Sequence, residues 1–120
     1  ITMLLVDDNV RYSRRLRWMI DKVCPEGKIY EAQNTEEAIA LTEQVAPQLV
    51  FIDVVLGEEN GIRCTRRIKA RSPMSRIVLI SAFPDREFHR LGLEAGAVAF
   101  LDKKDVDSST LRQIIEDTAP

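Results

Sequence analysis

Two kinds of hydrophobic pattern alternate along the 120-residue chain. One is a short run of apolar and β-branched residues, which is typical of a buried strand. The other places apolar residues three or four positions apart, which is typical of a helix with one buried face. The alternation predicts five strands and five helices in the order βαβαβαβαβα. The predicted strands cover residues 2–6, 28–33, 48–52, 76–81 and 97–102.

Capping residues and prolines mark the ends of the predicted helices. The clearest start is at Asn34, whose side chain can accept from free amides, with Glu37 three residues on as in a capping box. This second helix stops before Pro47, because a residue that precedes proline disfavours the helical conformation. The other helices are predicted between the first two strands, from about residue 60 to 71, after Pro84 and after Asp107.

Strict alternation of strands and helices also predicts how the elements assemble. Right-handed crossovers place helices on both faces of a parallel sheet, so we expect an α/β three-layer sandwich. Five strands favour the flavodoxin-like (βα)5 arrangement with the sheet order 2-1-3-4-5. Ligands of such sheets bind beyond the carboxyl ends of the strands where the order reverses, which is between the first and third strands.

Three carboxylates fall at this reversal. Asp7 and Asp8 follow the first predicted strand, and Asp53 ends the third. Like charges held this close repel one another unless protons or a cation neutralise them. Because oxygen donors suit Mg²⁺, which takes few protein carboxylates and keeps several waters, the sequence predicts a magnesium site. In the competing interpretation, Asp8 or Asn9 only caps the first helix, but a cap does not require an acidic pair.

A hydroxyl and an ammonium group are predicted on the same edge of the sheet. Ser81 ends the fourth strand, and Lys103 follows the fifth. Taken singly, each residue type is more often structural or solvated than functional. Their joint placement beside three carboxylates favours a site that neutralises the oxygens of a phosphoryl group.

Composition narrows the class of protein. The chain has the length of a single domain, residues 1–120, and its formal net charge of -2 argues against direct nucleic-acid binding. Cys24 and Cys64 show neither CxxC nor metal-ligand spacing, so we expect reduced thiols in a cytoplasmic protein. No apolar stretch is long enough to span a membrane. The start at Ile1 without a methionine predicts a piece cut from a longer protein.

Four sequence motifs together resemble a known family. They are "LLVDDN", "FIDVVLGEENG", "LISA" and "EAGAVAFLDK", in this order along the chain. Their combination is similar to the receiver domains of two-component response regulators. The resemblance implies that Asp53 accepts a phosphoryl group from the phosphohistidine of a sensor histidine kinase or phosphotransfer domain, and that the domain catalyses only its own phosphorylation and dephosphorylation. It further implies that Mg²⁺ is held by Asp7, Asp8, Asp53 and the backbone carbonyl of Val55, and that Lys103 and Ser81 contact the phosphoryl group.

The resemblance also implies how phosphorylation changes an output surface. Ser81 and Phe100 are the switch residues, and Phe100 stands at a position that tyrosine often holds. The surface that changes is expected around the fourth helix, fifth strand and fifth helix, and it could also join two copies as a homodimer. Gly57 and Lys104 depart from the family pattern, because proline is common at both positions. The departure at Lys104 makes a cis peptide bond after Lys103 less favoured.

Three residues bear on the kinetics of such a switch. Val55 and Phe83 lie two residues past the acceptor and the hydroxyl, where side chains can orient or exclude an attacking water. Both are apolar, so we expect slow self-dephosphorylation. Gly92, inside the predicted fourth helix, should weaken that helix by about 1 kcal/mol relative to alanine, which suits a mobile element.

Two other functions compete with this interpretation. A Mg²⁺-dependent phosphatase with an aspartate nucleophile usually carries a second acid two residues after the nucleophile, where this chain has Val55. A receiver-like binding module that signals without phosphorylation is expected to lack one of the acids or the lysine. None of these residues is missing, so the sequence favours the phospho-acceptor.

Overall fold

The secondary structure follows the alternation expected from the sequence. The computed structural model describes residues 1–83 and 85–119. Its strands are β1 (Thr2–Val6), β2 (Lys28–Ala32), β3 (Leu49–Asp53), β4 (Val55–Leu56), β5 (Glu59–Asn60), β6 (Arg76–Ser81) and β7 (Ala99–Asp102). Its α-helices are α1 (Val10–Val23), α2 (Thr35–Val45), α3 (Gly61–Arg71), α4 (Arg86–Glu94) and α5 (Ser108–Thr118), and Lys103–Asp105 forms one 3₁₀ turn.

Five of the strands form a parallel sheet in the order β2-β1-β3-β6-β7. With β4 and β5 left out of the count, this is the predicted 2-1-3-4-5 order, so the flavodoxin-like class is confirmed. Alternate side chains of each strand enter different cores, as the two-residue period of a strand requires. Leu4 and Val50 pack in the core on one face of the sheet, whereas Leu5 and Phe51 pack in the core on the other.

The segment after β3 differs from the prediction, because strict alternation is wrong there. Strands β4 and β5 pair antiparallel as a small hairpin, with Val55 opposite Asn60 and Leu56 opposite Glu59. Gly57 turns the hairpin with φ of +61°, a conformation that favours glycine. Strands of two residues are too short to show a hydrophobic period, so the sequence resembled a simple loop at this point.

The hairpin returns the chain to the end of β3, where α3 begins. The Gly61 N–H donates to the Val54 carbonyl at 2.8 Å. A Cβ on Gly61 would overlap the backbone carbonyl of Asp53, so this approach requires glycine. The hairpin therefore places the start of α3 directly against the end of β3.

The helix caps largely match their predictions. Asn34 accepts a hydrogen bond from the Glu37 N–H at 2.9 Å, but the Glu37 carboxylate accepts from the Gln33 N–H rather than from Asn34 itself. Asn60 and Asp107 cap α3 and α5. Helix α4 begins at Arg86 behind an Asp85 cap, and Pro84, expected to precede this helix, lies outside the described residues.

Two further observations concern the helices and the peptide bonds. Among the residues that the structure describes, the helices lack the length and apolar character that a bilayer crossing requires. All peptide bonds within residues 1–83 and 85–119 are trans, including the bond that follows Lys103.

Candidate functional site

Two of the predicted carboxylates lie side by side at the carboxyl edge of the sheet. Asp7 continues β1 by one residue, and its N–H donates to the Ala32 carbonyl of β2 at 3.0 Å. Asp53 is the last residue of β3 and pairs with Ile80 of β6. Because β1 and β3 are adjacent parallel strands, their ends bring the two side chains to one place, and each residue is only 7% exposed.

Local backbone amides orient these two carboxylates. Asp7 Oδ1 accepts from the Asn9 N–H at 2.8 Å, and Asp53 Oδ1 accepts from the Val55 N–H at 2.9 Å. The second oxygen of Asp53, Oδ2, lies 2.8 Å from Lys103 Nζ. One Asp53 oxygen is thus held by the backbone, while the other faces the lysine.

The third carboxylate, Asp8, is exposed and extends toward the β4–β5 hairpin. Its Oδ2 lies 3.4 Å from the point that a Cβ on Gly57 would occupy. Of the two residues that could cap the first helix, it is Asn9 and not Asp8 that does so, because Asn9 Oδ1 accepts from the Tyr12 N–H at 3.1 Å. We call Asp7, Asp8, Asp53 and Lys103 the acidic pocket.

The charges of the pocket act on Asp7. The pKa of Asp7 is raised from 3.8 to about 6, chiefly by burial and further by the negative charges of Asp53 and Asp8, which together outweigh the opposing effects of the Asn9 N–H and Lys103. Repulsion between carboxylates is expected where Asp7 and Asp53 lie side by side, with Asp8 contributing least. The pocket is therefore rich in negative charge that Lys103 only partly offsets.

The donor set agrees in kind with the predicted Mg²⁺. Carboxylate and carbonyl oxygens are the ligands that Mg²⁺ prefers, and a dication would relieve the repulsion that raises the pKa of Asp7. Within the described ranges, however, no three His, Cys, Asp or Glu side chains converge as a ready-made metal cage. The pocket thus offers oxygen donors of the kind that Mg²⁺ takes, with Lys103 Nζ 2.8 Å from Asp53 Oδ2 in its present arrangement.

The predicted hydroxyl lies at the next strand end. Ser81 is the last residue of β6, is buried, and pairs with Asp102 of β7. Its Oγ accepts from the Phe83 N–H at 3.1 Å. The hydroxyl is thus tied to the loop that leads to α4.

The predicted aromatic switch, Phe100, lies beneath α4. Its ring stacks on His89 with the centroids 5.2 Å apart and the planes 16° from parallel. A Cβ on Gly92 would lie 3.2 Å from Phe100 and 2.6 Å from Leu79, so glycine makes room for both side chains. No sequence pattern indicated this stacking partner, because His89 is an exposed residue among charged neighbours.

Tyr12, which no sequence motif singled out, also belongs to the site. Lys103 Nζ lies 4.2 Å from the centre of the Tyr12 ring. The pKa of Tyr12 is raised to about 12, chiefly by burial and in part by the negative charges of Asp7 and Asp53. The available signal was its position in the first turn of α1, four residues after Asp8.

The comparisons with known proteins agree on one family. A family model for the response regulator receiver domain matches residues 3–116. The protein-glutamate methylesterase/protein-glutamine glutaminase of Pseudoalteromonas atlantica is 32% identical over 112 residues, which cover 92% of this chain and 30% of that protein. The chain spans between 22% and 47% of the length of such curated relatives.

Solved structures agree with the family model. A LuxR-family two-component response regulator from an Aurantimonas species is 29% identical, with a TM-score of 0.86 over 97% of this chain and 82% of that chain. The signal receiver domain of a DNA binding response regulator (merR) from Colwellia psychrerythraea has a TM-score of 0.88 at 19% identity, covering 98% of this chain and 96% of that chain. The second likeness shows the fold alone.

Proposed function

This chain belongs to the receiver-domain family of response regulators, and from that premise we propose that it is a switch that accepts a phosphoryl group on Asp53. The observation that carries the proposal is the buried Asp53 carboxylate, which has one oxygen fixed by the Val55 N–H and the other 2.8 Å from Lys103 Nζ. A buried carboxylate with one oriented oxygen beside a cation suits a nucleophile. The proposed donor is a sensor histidine kinase or a phosphotransfer domain.

In the proposed reaction, Asp53 Oδ2 attacks the phosphorus of a phosphohistidine. The new O–P bond forms as the P–N bond breaks, so the histidine leaves and an acyl phosphate remains on Asp53. The Lys103 ammonium, already 2.8 Å from Oδ2, neutralises charge on the phosphoryl oxygens. When Mg²⁺ is bound, by Asp7, Asp8, Asp53 and the Val55 carbonyl, it supplies further charge neutralisation.

The proposed response begins at Ser81. A hydrogen bond from the Ser81 hydroxyl to a phosphoryl oxygen would pull on the segment that leads to α4, because Oγ now accepts from the Phe83 N–H. Phe100 lies directly under α4 and would repack with it. Phosphorylation would then shift an existing equilibrium between two arrangements of the surface around α4, β7 and α5. The same surface is the proposed contact of a homodimer.

The proposed scope is that of a signalling module. The domain modifies only itself. The methylesterase activity that appears in the name of its Pseudoalteromonas relative belongs to that longer protein. We propose no direct contact with nucleic acid or membrane. The proposed location is the cytoplasm, which suits the two free thiols of Cys24 and Cys64.

The test is the intact mass of the chain after incubation with acetyl phosphate and Mg²⁺. We expect one added phosphoryl group that requires both Mg²⁺ and Asp53, so Asp53→Ala and a chelator should each abolish it. Asp21→Ala, which removes an exposed aspartate from α1, is the matched control and should react like the wild type. A mass gain that survives Asp53→Ala, or no gain from either acetyl phosphate or a phosphorylated histidine-containing donor domain, would overturn the proposal.

A further inference from the structure

The Lys103 ammonium lies between a carboxylate and an aromatic ring. Its Nζ is 2.8 Å from Asp53 Oδ2 and 4.2 Å from the centre of the Tyr12 ring. A cation within about 6 Å of a ring centre is attracted by the negative face of the ring. Two different attractions therefore act on the same ammonium group.

The ring of Tyr12, not its hydroxyl, accounts for this contact. The hydroxyl oxygen is buried and has no hydrogen-bond partner within residues 1–83 and 85–119. An unsatisfied buried hydroxyl is unfavourable, so hydrogen bonding does not explain a tyrosine here. The pKa of Tyr12, raised to about 12, keeps the ring neutral at physiological pH.

Lys103 needs an anchor that the reaction leaves unchanged. A lysine side chain has a flexible four-carbon stem, and this one is 20% exposed. Its contact with Asp53 Oδ2 must change when that oxygen bonds to phosphorus. The face of the Tyr12 ring takes no part in the reaction and stays in place, because Tyr12 lies in the first turn of α1, where Asn9 accepts its N–H.

We propose that Tyr12 is a positioning residue that holds the Lys103 ammonium at Asp53 before and during phosphoryl transfer. This inference rests on the proposed function of Asp53. It predicts that an aromatic ring is required at position 12 and that the hydroxyl is dispensable.

The first experiment measures the rate of phosphorylation of the chain by acetyl phosphate with saturating Mg²⁺. We expect Tyr12→Leu to lower the rate constant at saturating acetyl phosphate by about threefold to tenfold, in line with the strength of a partly buried cation–π contact. Tyr12→Phe retains the ring and should stay within about twofold of the wild type. If Tyr12→Leu fails to fold, as judged by circular dichroism, Tyr12→Met replaces it with a side chain of similar volume that is unbranched and more flexible.

The chain offers a matched control on the same helix. Trp18 is 59% exposed, and Lys22 Nζ lies 4.0 Å from the centre of its ring. Trp18→Leu therefore removes a second cation–π contact from α1 at a distance from the acidic pocket. We expect its phosphorylation rate to equal that of the wild type.

A second readout does not depend on phosphorylation. The ring current of Tyr12 should displace the NMR signals of the Lys103 ε-methylene protons in the wild type and in Tyr12→Phe, but not in Tyr12→Leu. A rate for Tyr12→Leu equal to the wild type, or an equal loss in Tyr12→Phe, would overturn the inference even if Asp53 is phosphorylated. If the wild type itself takes no phosphate from either donor, the proposed function fails and the inference fails with it.

Discussion

The acidic pocket and the neighbouring surface of α4 share Lys103 but differ in how far their side chains are buried and hydrogen-bonded. We call the surface that carries Phe83, Phe88, His89 and Phe100 the α4–β7 face. In the pocket, Asp7 and Asp53 are each 7% exposed and each accepts a backbone hydrogen bond. On the α4–β7 face, Phe83 is 81% exposed, and together with Phe88 it lines an open cleft that Lys103 also lines.

Helix packing shows the same contrast. Helix α1, beside the pocket, buries Ser13, Leu16, Met19 and Ile20, whereas α4 buries only Gly92 within the described part of the chain. Few buried contacts mean that an element can open or shift at low cost in free energy. A reactive group requires fixed geometry, and a surface that responds to it requires freedom to move. The acidic pocket therefore has the fixed geometry expected of the proposed chemical site, and the α4–β7 face has the few buried contacts expected of a surface that responds to it.

The largest expected effect comes from removing the cation that the two regions share. Lys103→Met should slow phosphorylation by acetyl phosphate about 10²-fold, because it removes the ammonium that we propose to neutralise the phosphoryl oxygens. Lys104→Met is the matched control, since its side chain is 78% exposed and contacts Asp102 rather than Asp53. The rate of mass gain measures both. Equal effects of the two substitutions would contradict a special position of Lys103.

A second prediction concerns the stability of the pocket. Burial and neighbouring carboxylates raise the pKa of Asp7 from 3.8 to about 6, so the folded chain binds this proton more tightly than the unfolded chain. The free energy of unfolding should therefore fall as the pH rises from about 4 to 6 and stay lower above pH 6. Asp7→Asn removes the charge and should be more stable than the wild type by about 1–2 kcal/mol at neutral pH, and equal to it below about pH 4.

Urea unfolding with a chelator present, at several pH values, measures this difference. Asp21→Asn, at an exposed position of α1, is the control and should show no such pH-dependent gain. If the advantage of Asp7→Asn does not grow with pH, the Asp7 charge is not disfavoured in the folded chain as its burial and its neighbouring carboxylates require.

A third prediction tests the boundary between the two regions. Val55 is 59% exposed and Phe83 is 81% exposed, so both place apolar groups beside the pocket. Val55→Asn supplies an amide that can orient a water toward the phosphoryl group, and it should shorten the lifetime of phosphorylated Asp53 severalfold. Loss of the phosphoryl mass over time gives the rate. An unchanged or longer lifetime would count against exclusion of water by Val55.

The smallest expected effect is on α4. Gly92→Ala favours the helix by about 1 kcal/mol, but the added Cβ crowds Leu79 and Phe100. Because side chains can yield to this crowding, we expect a net change in unfolding free energy within about 1 kcal/mol, together with altered amide exchange in α4. Unaltered exchange in α4 would contradict the view that Gly92 keeps this helix mobile.

Much of the fold could be predicted because it rests on local patterns. Apolar runs predicted all five strands of the sheet, and capping residues such as Asn34 and Asp107 predicted helix starts. The β4–β5 hairpin was missed, because its strands have two residues each and their pairing depends on Leu56 being buried and on the approach of Gly61 to Asp53.

The candidate site shows the same division between what local patterns predict and what they do not. The groups at the strand ends follow from the sequence, since the positions of Asp7, Asp53, Ser81 and Lys103 depend on where a strand stops and on the order of the sheet. The side-chain contacts do not follow from it: Lys103 with Asp53, Lys103 with the Tyr12 ring, and His89 on Phe100 are seen only in the folded chain. Hydrophobic period and capping act between residues close in sequence. Contacts between side chains of different elements depend on how helices pack against the sheet, which no local pattern specifies.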